Sequence, residues 1–290
     1  MNKNTGFIIS FLFPALAFYV LMALIPIVYS LYFAFFDWPG IHTVPLKFVG
    51  FGNFVKMFTS PRFLLSLKNV AWFVFLNVVF QTLLGYGIAL LLGTYLRGFK
   101  QFKLLFFLPV VLPMTATSLL WKFIFLPNPT GVLNSLLSLF GVDAVAWLLD
   151  AQTAMNCIAA ANIWQGFGYH LIIAFAAITT VSTDMIEAAT IDGCNRFQRV
   201  MKIILPSIRN AIMISIILNV TGNLKNFDIV FVMTEGGPNN LTHVPSTLMY
   251  VEAFKYDHYG LGSAIAAFIF ALSLLVTGVS TKLLGSKENV

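Results

Sequence analysis

The chain is built from long apolar runs separated by short polar stretches. A helix needs about 20 mostly apolar residues to cross a bilayer. Six runs meet that length, at 8–36, 68–96, 104–126, 153–181, 205–233 and 259–284. The pattern predicts an all-α membrane protein of six transmembrane helices forming one domain over residues 1–290. Composition points the same way: 59% of the residues are hydrophobic and 10% charged, with a mean hydropathy of +0.87. A soluble domain carries about 25% charged residues. A soluble enzyme, a disordered chain and a nucleic-acid binder are excluded. The net charge of +6 fits membrane topology better than a polyanion partner.

Lys3 followed by an apolar run, with Ala15-Leu16-Ala17 beyond it, imitates a secretory signal. The run continues to Phe36, so a retained first span is expected. Pro14, Pro26, Pro109 and Pro113 fall inside spans and are expected to bend them. In the fifth run, Thr221-Gly-Asn-Leu-Lys-Asn226 interrupts the apolar residues before Phe227–Met233. Six spans put both termini on one side. With that side cytoplasmic, ten basic and four acidic residues lie inside, and seven of each lie outside. Lys/Arg excess marks the cytoplasmic side. Trp38, Trp121 and Trp147 then sit near the outer boundary, and the long outer loops are 37–67, 127–152 and 234–258. Cys157 and Cys194 are expected as unpaired thiols, and no His/Cys group has metal-ligand spacing.

The inner loop 182–204 is not lipid-buried sequence. Thr183 or Asp184 can cap a short helix with Glu187 in its first turn. Ile186, Ala189 and Ile191 give that helix a weak apolar face, and Gly193 can stop it with a positive φ. A basic helix follows, with Phe197, Val200, Met201 and Ile204 at helical spacing, and Pro206 fits the start of span five. Two readings suit this pair: a helix lying on lipid headgroups, or a rigid element that docks into a soluble partner.

Glu187-Ala188-Ala189, Asp192-Gly193 and Ile204-Leu205-Pro206, at these spacings, resemble the EAA loop of binding-protein-dependent ABC importer permeases. Phe227-Asp228 and Val232-Met-Thr-Glu-Gly-Gly-Pro238 resemble the carbohydrate-uptake branch of that family. Within the branch, the chain resembles the larger permease subunit of maltose-type transporters, without the extra outer domain of that subunit. Cys194, where alanine is usual, and Asn210, where proline is frequent, depart from the pattern. The resemblance implies a type I ABC importer permease fold whose EAA helix is a coupling helix. Glu187, Ala188, Ala189, Asp192, Gly193, Leu205 and Pro206 are then the residues that couple to an ATPase. It also implies a second related permease, an ATPase dimer that holds ATP and Mg, and an extracytoplasmic solute-binding protein facing Gly236, Gly237 and Pro238. No cofactor is expected on this chain itself, which has no Gly-x-x-x-x-Gly-Lys-Ser/Thr phosphate loop. The implied setting is a bacterial inner membrane, with both termini cytoplasmic.

Polar residues at membrane depth are costly and therefore informative. Asn162, Gln165, Gly166 and Tyr169 fall on one face of span four; Asn219, Gly222, Asn223 and Asn226 do the same on span five. Two amide faces with central glycines suit a cavity for a hydroxylated ligand. They equally suit interhelical hydrogen-bond glue. The resemblance implies a sugar site here. Asn162, Gly166, Tyr169, Asn223 and Asn226 match the family in type, while Gln165, Asn219 and Gly222 sit at corresponding positions with other types. Lys225 is expected to pair with Asp228 or to favour an acidic sugar, and His170 to hydrogen-bond within the bundle. Asn77 and Gln81 form a further i, i+4 pair, read as structural.

The sequence therefore reads as the permease subunit of an ATP-driven importer of a sugar, with an oligosaccharide favoured and no catalytic or metal-binding residue. An ion-driven secondary transporter is the alternative, and it calls for membrane-embedded carboxylates. All eleven acids fall at loops or span ends, against that reading.

Overall fold

The computed structural model describes residues 3–41, 43–93, 99–128 and 130–285. The expected end of span two at 94–96, part of the inner connection at 97–103, and Lys287 and Glu288 of the charge count lie outside the described residues. The helices run α1 (Lys3–Tyr19), a π turn (Val20–Leu24) and α2 (Ile25–Phe33), then a two-residue hairpin of β1 (Phe36–Asp37) and β2 (Lys47–Phe48). They continue as α3 (Gly52–Thr59), α4 (Pro61–Gly93), α5 (Phe99–Val111), α6 (Met114–Ile124), α7 (Val132–Ser138) and α8 (Ala151–Ile178). Next come α9 (Thr183–Ile191), α10 (Arg196–Arg199), a π turn (Val200–Ile204), α11 (Leu205–Ser207) and α12 (Arg209–Leu224). The last are α13 (Asp228–Thr234), α14 (Pro245–Tyr250), a π turn (Val251–Lys255) and α15 (Tyr259–Gly285).

Phe11–Phe33, Pro61–Leu92 and Tyr259–Ser280 are single helices long and apolar enough to cross a membrane. Three bent pairs bring the total to six: Lys103–Val111 with Met114–Ile124 at 98°, Thr153–Ile178 with Thr183–Ile191 at 74°, and Arg196–Ser207 with Arg209–Leu224 at 68°. The prolines explain part of this. Pro113 occupies the cap position of α6, directly after the sharpest break; Pro26 lies inside the continuous helix Phe11–Phe33, where it has no N–H to donate, just after the π turn Val20–Leu24. The fifth run, 205–233, is three helices: α11 breaks from α12 at Ile208, and the polar stretch then ends α12 at Leu224 before Asp228 opens α13.

The chain packs as two compact units, Met1–Leu64 with Leu248–Ala271 and Leu65–Thr247 with Leu272–Val290. In the first, the hairpin pairs Phe36 with Phe48 and Asp37 with Lys47. The buried Asn53 amide donates to the carbonyls of Ala34 (3.0 Å) and Phe36 (2.8 Å), where α2 gives way to the strand. These carbonyls have no helical partner, so a side chain must meet them. Phe33, Trp38 and Tyr259 stack around the start of α15, with centroids 4.7–5.8 Å apart. The Gly260 N–H donates to the Trp38 carbonyl at 3.1 Å.

In the second unit, one apolar cluster gathers Phe73, Ile158, Ile229 and Met233; another gathers Tyr86, Ala174, Ile178, Ile204 and Ile208. The 98° elbow is held from outside its own helices: the Gln165 amide of α8 donates to the Leu112 carbonyl at 3.0 Å.

A methyl group at Gly260 would overlap the Phe36 carbonyl oxygen. Gly260→Ala is expected to cost roughly 1–3 kcal/mol through overpacking, read as a lower unfolding temperature of the detergent-solubilised protein. Gly222→Ala, which meets open space, serves as the neutral comparison.

Candidate functional site

The polar faces of spans two, four and five meet in one hydrogen-bonded ladder. Asn162 of α8 donates to the side-chain oxygens of Asn77 (2.7 Å) and Asn223 (2.8 Å). Gln81 of α4 donates to Asn77 Oδ1 (3.0 Å) and to the Asn162 carbonyl (2.9 Å). Asn223 donates to the carbonyl (2.9 Å) and side-chain oxygen (2.6 Å) of Asn219. Asn219 donates to Gln81 Oε1 (2.9 Å) and to His170 Nε2 (3.0 Å). With Nε2 accepting, the His170 proton lies on Nδ1 and is donated to Ser215 Oγ, 2.6 Å away. Asn226 extends the ladder at the other end, donating to Asn162 Oδ1 at 3.2 Å. Its carbonyl accepts from Ser246 Oγ.

Every amide N–H of Gln81, Asn162, Asn219 and Asn223 is thus engaged, and all four side chains are buried. This saturation is what a low-dielectric site demands, because an unpaired amide there costs far more than it would in water. Gly166 has no room for a side chain: a methyl group there would overlap the Gln81 amide. Its glycine serves close helix approach. Gln165 is buried and spends its amide nitrogen on the elbow. Tyr169 is 44% exposed, Gly222 faces open space, and Asn226 is half-buried. Of the eight residues expected to line a cavity, these three are the ones open to the surface, and the other five are packed between helices. Lys225 and Asp228 are both exposed, with no ion pair joining them among the described residues.

Sequence reasoning separated Asn77 and Gln81 from the site as a structural pair. The structure joins them to it. Ser215 escaped notice; its signal was its position one helical turn before Asn219, on the same face.

The 182–204 loop is a helical elbow. Ser182, rather than Thr183 or Asp184, holds the cap position of α9, and it makes no side-chain capping bond. The helix ends on Gly193 at φ +78°, with the Cys194 N–H donating to the Ala189 carbonyl at 2.9 Å. Asn195 and Gln198 then form a reciprocal capping box at the start of α10. Arg199 ties the two helices by donating to Thr190 Oγ1 at 2.6 Å. Glu187, Ala188, Asp192, Gly193 and Pro206 are exposed, Ala189 is buried and Leu205 is half-buried. The expected apolar faces divide differently. Val200, Ile204 and Ile208 pack on the bundle, whereas Ile191 (86%), Phe197 (68%) and Met201 (48%) stand exposed. Ile191, the last residue of α9, is two positions from the buried Ala189 and so lies about 200° around the helix from it, on the exposed face.

Removing one ladder amide leaves its partners buried and unpaired. Asn219→Leu and Asn162→Ala are each expected to cost about 1–3 kcal/mol or more, seen as a lower unfolding temperature in detergent. Tyr169→Ala, at an open position, should leave that temperature nearly unchanged.

The family described as "Binding-protein-dependent transport system inner membrane component" matches residues 81–288. The diacetylchitobiose uptake system permease protein of Streptomyces coelicolor is 33% identical, over 93% of this chain and 79% of its own. The trehalose/maltose transport system permease protein of Thermococcus litoralis is 30% identical over 84% of each chain. A solved structure, that of a bacterial alginate ABC transporter in complex with an alginate pentasaccharide-bound periplasmic protein, superposes with a TM-score of 0.83 over 96% of this chain and 93% of that one, at 24% identity. By the match over residues 81–288 and by these relatives, the chain belongs to the inner-membrane components of binding-protein-dependent transport systems.

Proposed function

We propose that this chain is the permease subunit of an ATP-driven importer for a sugar, with an oligosaccharide favoured. It forms half of the translocation pathway beside a second related permease. The observation that carries this reading is the exposed elbow of α9 and α10. It is rigid, capped at its turn, and suspended between two span-forming helices, α8 and α12, which the ladder ties together. The names of the permease relatives support a saccharide, and the alginate neighbour, solved with its periplasmic protein, supports delivery by a solute-binding protein.

In this reading the elbow docks into an ATPase dimer that holds ATP and Mg, and hydrolysis takes place there rather than on this chain. Glu187 and Asp192 offer carboxylates to the partner, and Ile191 and Phe197 offer apolar anchors. Glu187 is the fifth of the nine residues of α9, beyond the first turn in which the sequence had placed it; Asp184 is the acidic residue there, and it is the one the helix dipole favours. Closure of the ATPase pair moves the elbow, and α8 and α12 carry the motion to the ladder. The substrate meets Tyr169, whose ring suits the apolar face of a sugar, and Asn226, whose amide suits hydroxyls. Asn162, Gln165, Gly166, Asn219, Gly222 and Asn223 shape that surface from behind and beside. In this reading the membrane is a bacterial inner membrane, and the charge count supports both termini cytoplasmic and the turn at Gly236-Gly237-Pro238 outside.

Mild-detergent purification through a tag on this chain tests the assembly. One second permease and two ATPase subunits should accompany each chain, and recovery of the chain alone or as a homo-oligomer would sink the proposal. Glu187→Ala and Gly193→Asp should abolish uptake with normal membrane insertion; unimpaired uptake in both would remove the coupling role. Tyr169→Ala should raise the substrate concentration needed for half-maximal uptake while the complex still assembles.

A further inference from the structure

Two cavities of the second unit run into each other along the seam between α4 and α8. One, of about 400 Å³, is lined by Leu65, Lys68, Asn69, Met155 and Leu241 together with Trp72 and Asn156. The other, of about 530 Å³, continues from the same Trp72 and Asn156 as a furrow over Leu76, Phe80, Leu84, Ala160, Ile163 and Phe167. The first end is mixed, with Lys68, Asn69 and Asn156 among its lining residues and Lys68 its one charge; beyond Asn156 the second is lined by apolar side chains. Trp72 marks the junction. Its indole N–H donates to Asn156 Oδ1 at 2.8 Å, and its ring stacks on Phe75.

We propose that this seam holds one glycerophospholipid, with its phosphate on Lys68 and the neighbouring amides and one acyl chain in the furrow. Three features select a lipid over a partner helix. First, the furrow runs from Trp72 to Leu84 on α4 and from Asn156 to Phe167 on α8. At 1.5 Å per residue that is about 17–18 Å, close to half of the ~30 Å hydrocarbon thickness, hence one leaflet. A spanning helix would need a groove of the full thickness. Second, a single cation sits at one end only, matching an ionic head on an apolar tail. Third, the 241–243 stretch is fastened across that end: Asn69 donates to the carbonyls of Leu241 (2.7 Å) and His243 (2.9 Å). Leu241 lines the head cavity.

The leaflet assigned, the outer one, rests on the orientation proposed above. A reversed orientation would move the lipid to the other leaflet without emptying the furrow, so the test does not depend on it. Native mass spectrometry of the purified complex, titrated with phosphatidylglycerol, should show one lipid retained per copy of this chain. Ala160→Phe, which fills the furrow from its exposed side, should remove that retention. Lys68→Glu, at an exposed position, should weaken it by about tenfold. Leu275→Phe, on the exposed face of α15, should leave it unchanged. Equal retention in the wild type and both seam variants would overturn the proposal. So would loss of the second permease from the Ala160→Phe complex with lipid retention intact, which would make the furrow a protein interface.

Discussion

The ladder of amides across α4, α8 and α12 is the constraint on which the second unit depends. Each of its buried N–H groups has an acceptor inside the protein, and the chain supplies those acceptors from three helices at once. In a bilayer no water stands ready to replace a missing partner, so the helices cannot slide or rotate past one another without leaving polar groups bare. Apolar packing alone would not impose this, because lipid tails are as apolar as leucine. The ladder therefore sets helix register where the hydrophobic effect is silent. Gly166 is part of the same device, since only its bare backbone allows the Gln81 amide to come so close.

The same ladder bears on the proposed coupling. The elbow of α9 and α10 is attached to the membrane through α8 and, by way of α11, α12. His170 on α8 bonds Ser215 and Asn219 on α12, so the two stems are joined above the elbow. A load on the elbow then reaches both stems together. At its free end the elbow is stiffened by the Gly193 turn, the Asn195–Gln198 box and the Arg199–Thr190 bond. In the proposed function, such a stiff lever on tied stems would transmit motion where a flexible loop would absorb it. The open positions Tyr169, Gly222 and Asn226 lie on the same two spans.

The apolar spans, the helical pair of the 182–204 loop and the stop at Gly193 were legible because each rests on a local signal: run length, helical spacing, or a residue able to take positive φ. The division of the polar faces was not legible. Asn162 and Tyr169 share a helical face, yet one is buried among amides and the other is exposed, because their fates turn on what α4 and α12 place opposite them. Asn77 and Gln81 looked like a pair apart for the same reason; their partners lie at least 81 positions away. The 98° elbow between α5 and α6 was legible only as a bend, from its prolines. That Gln165 holds it by meeting the Leu112 carbonyl is a contact 53 residues long.

What the sequence by itself determined is the class of environment and the punctuation of the chain. Apolar runs of bilayer length with so few charges have one solvent in which to fold, and basic residues bias which loops stay inside. What only the tertiary structure decided is which polar groups are consumed in holding the helices and which remain available to a ligand or a lipid. That choice is made by pairs of groups distant in sequence. Hydrogen bonding is short-ranged and directional, so no local pattern can state it before the helices are in place.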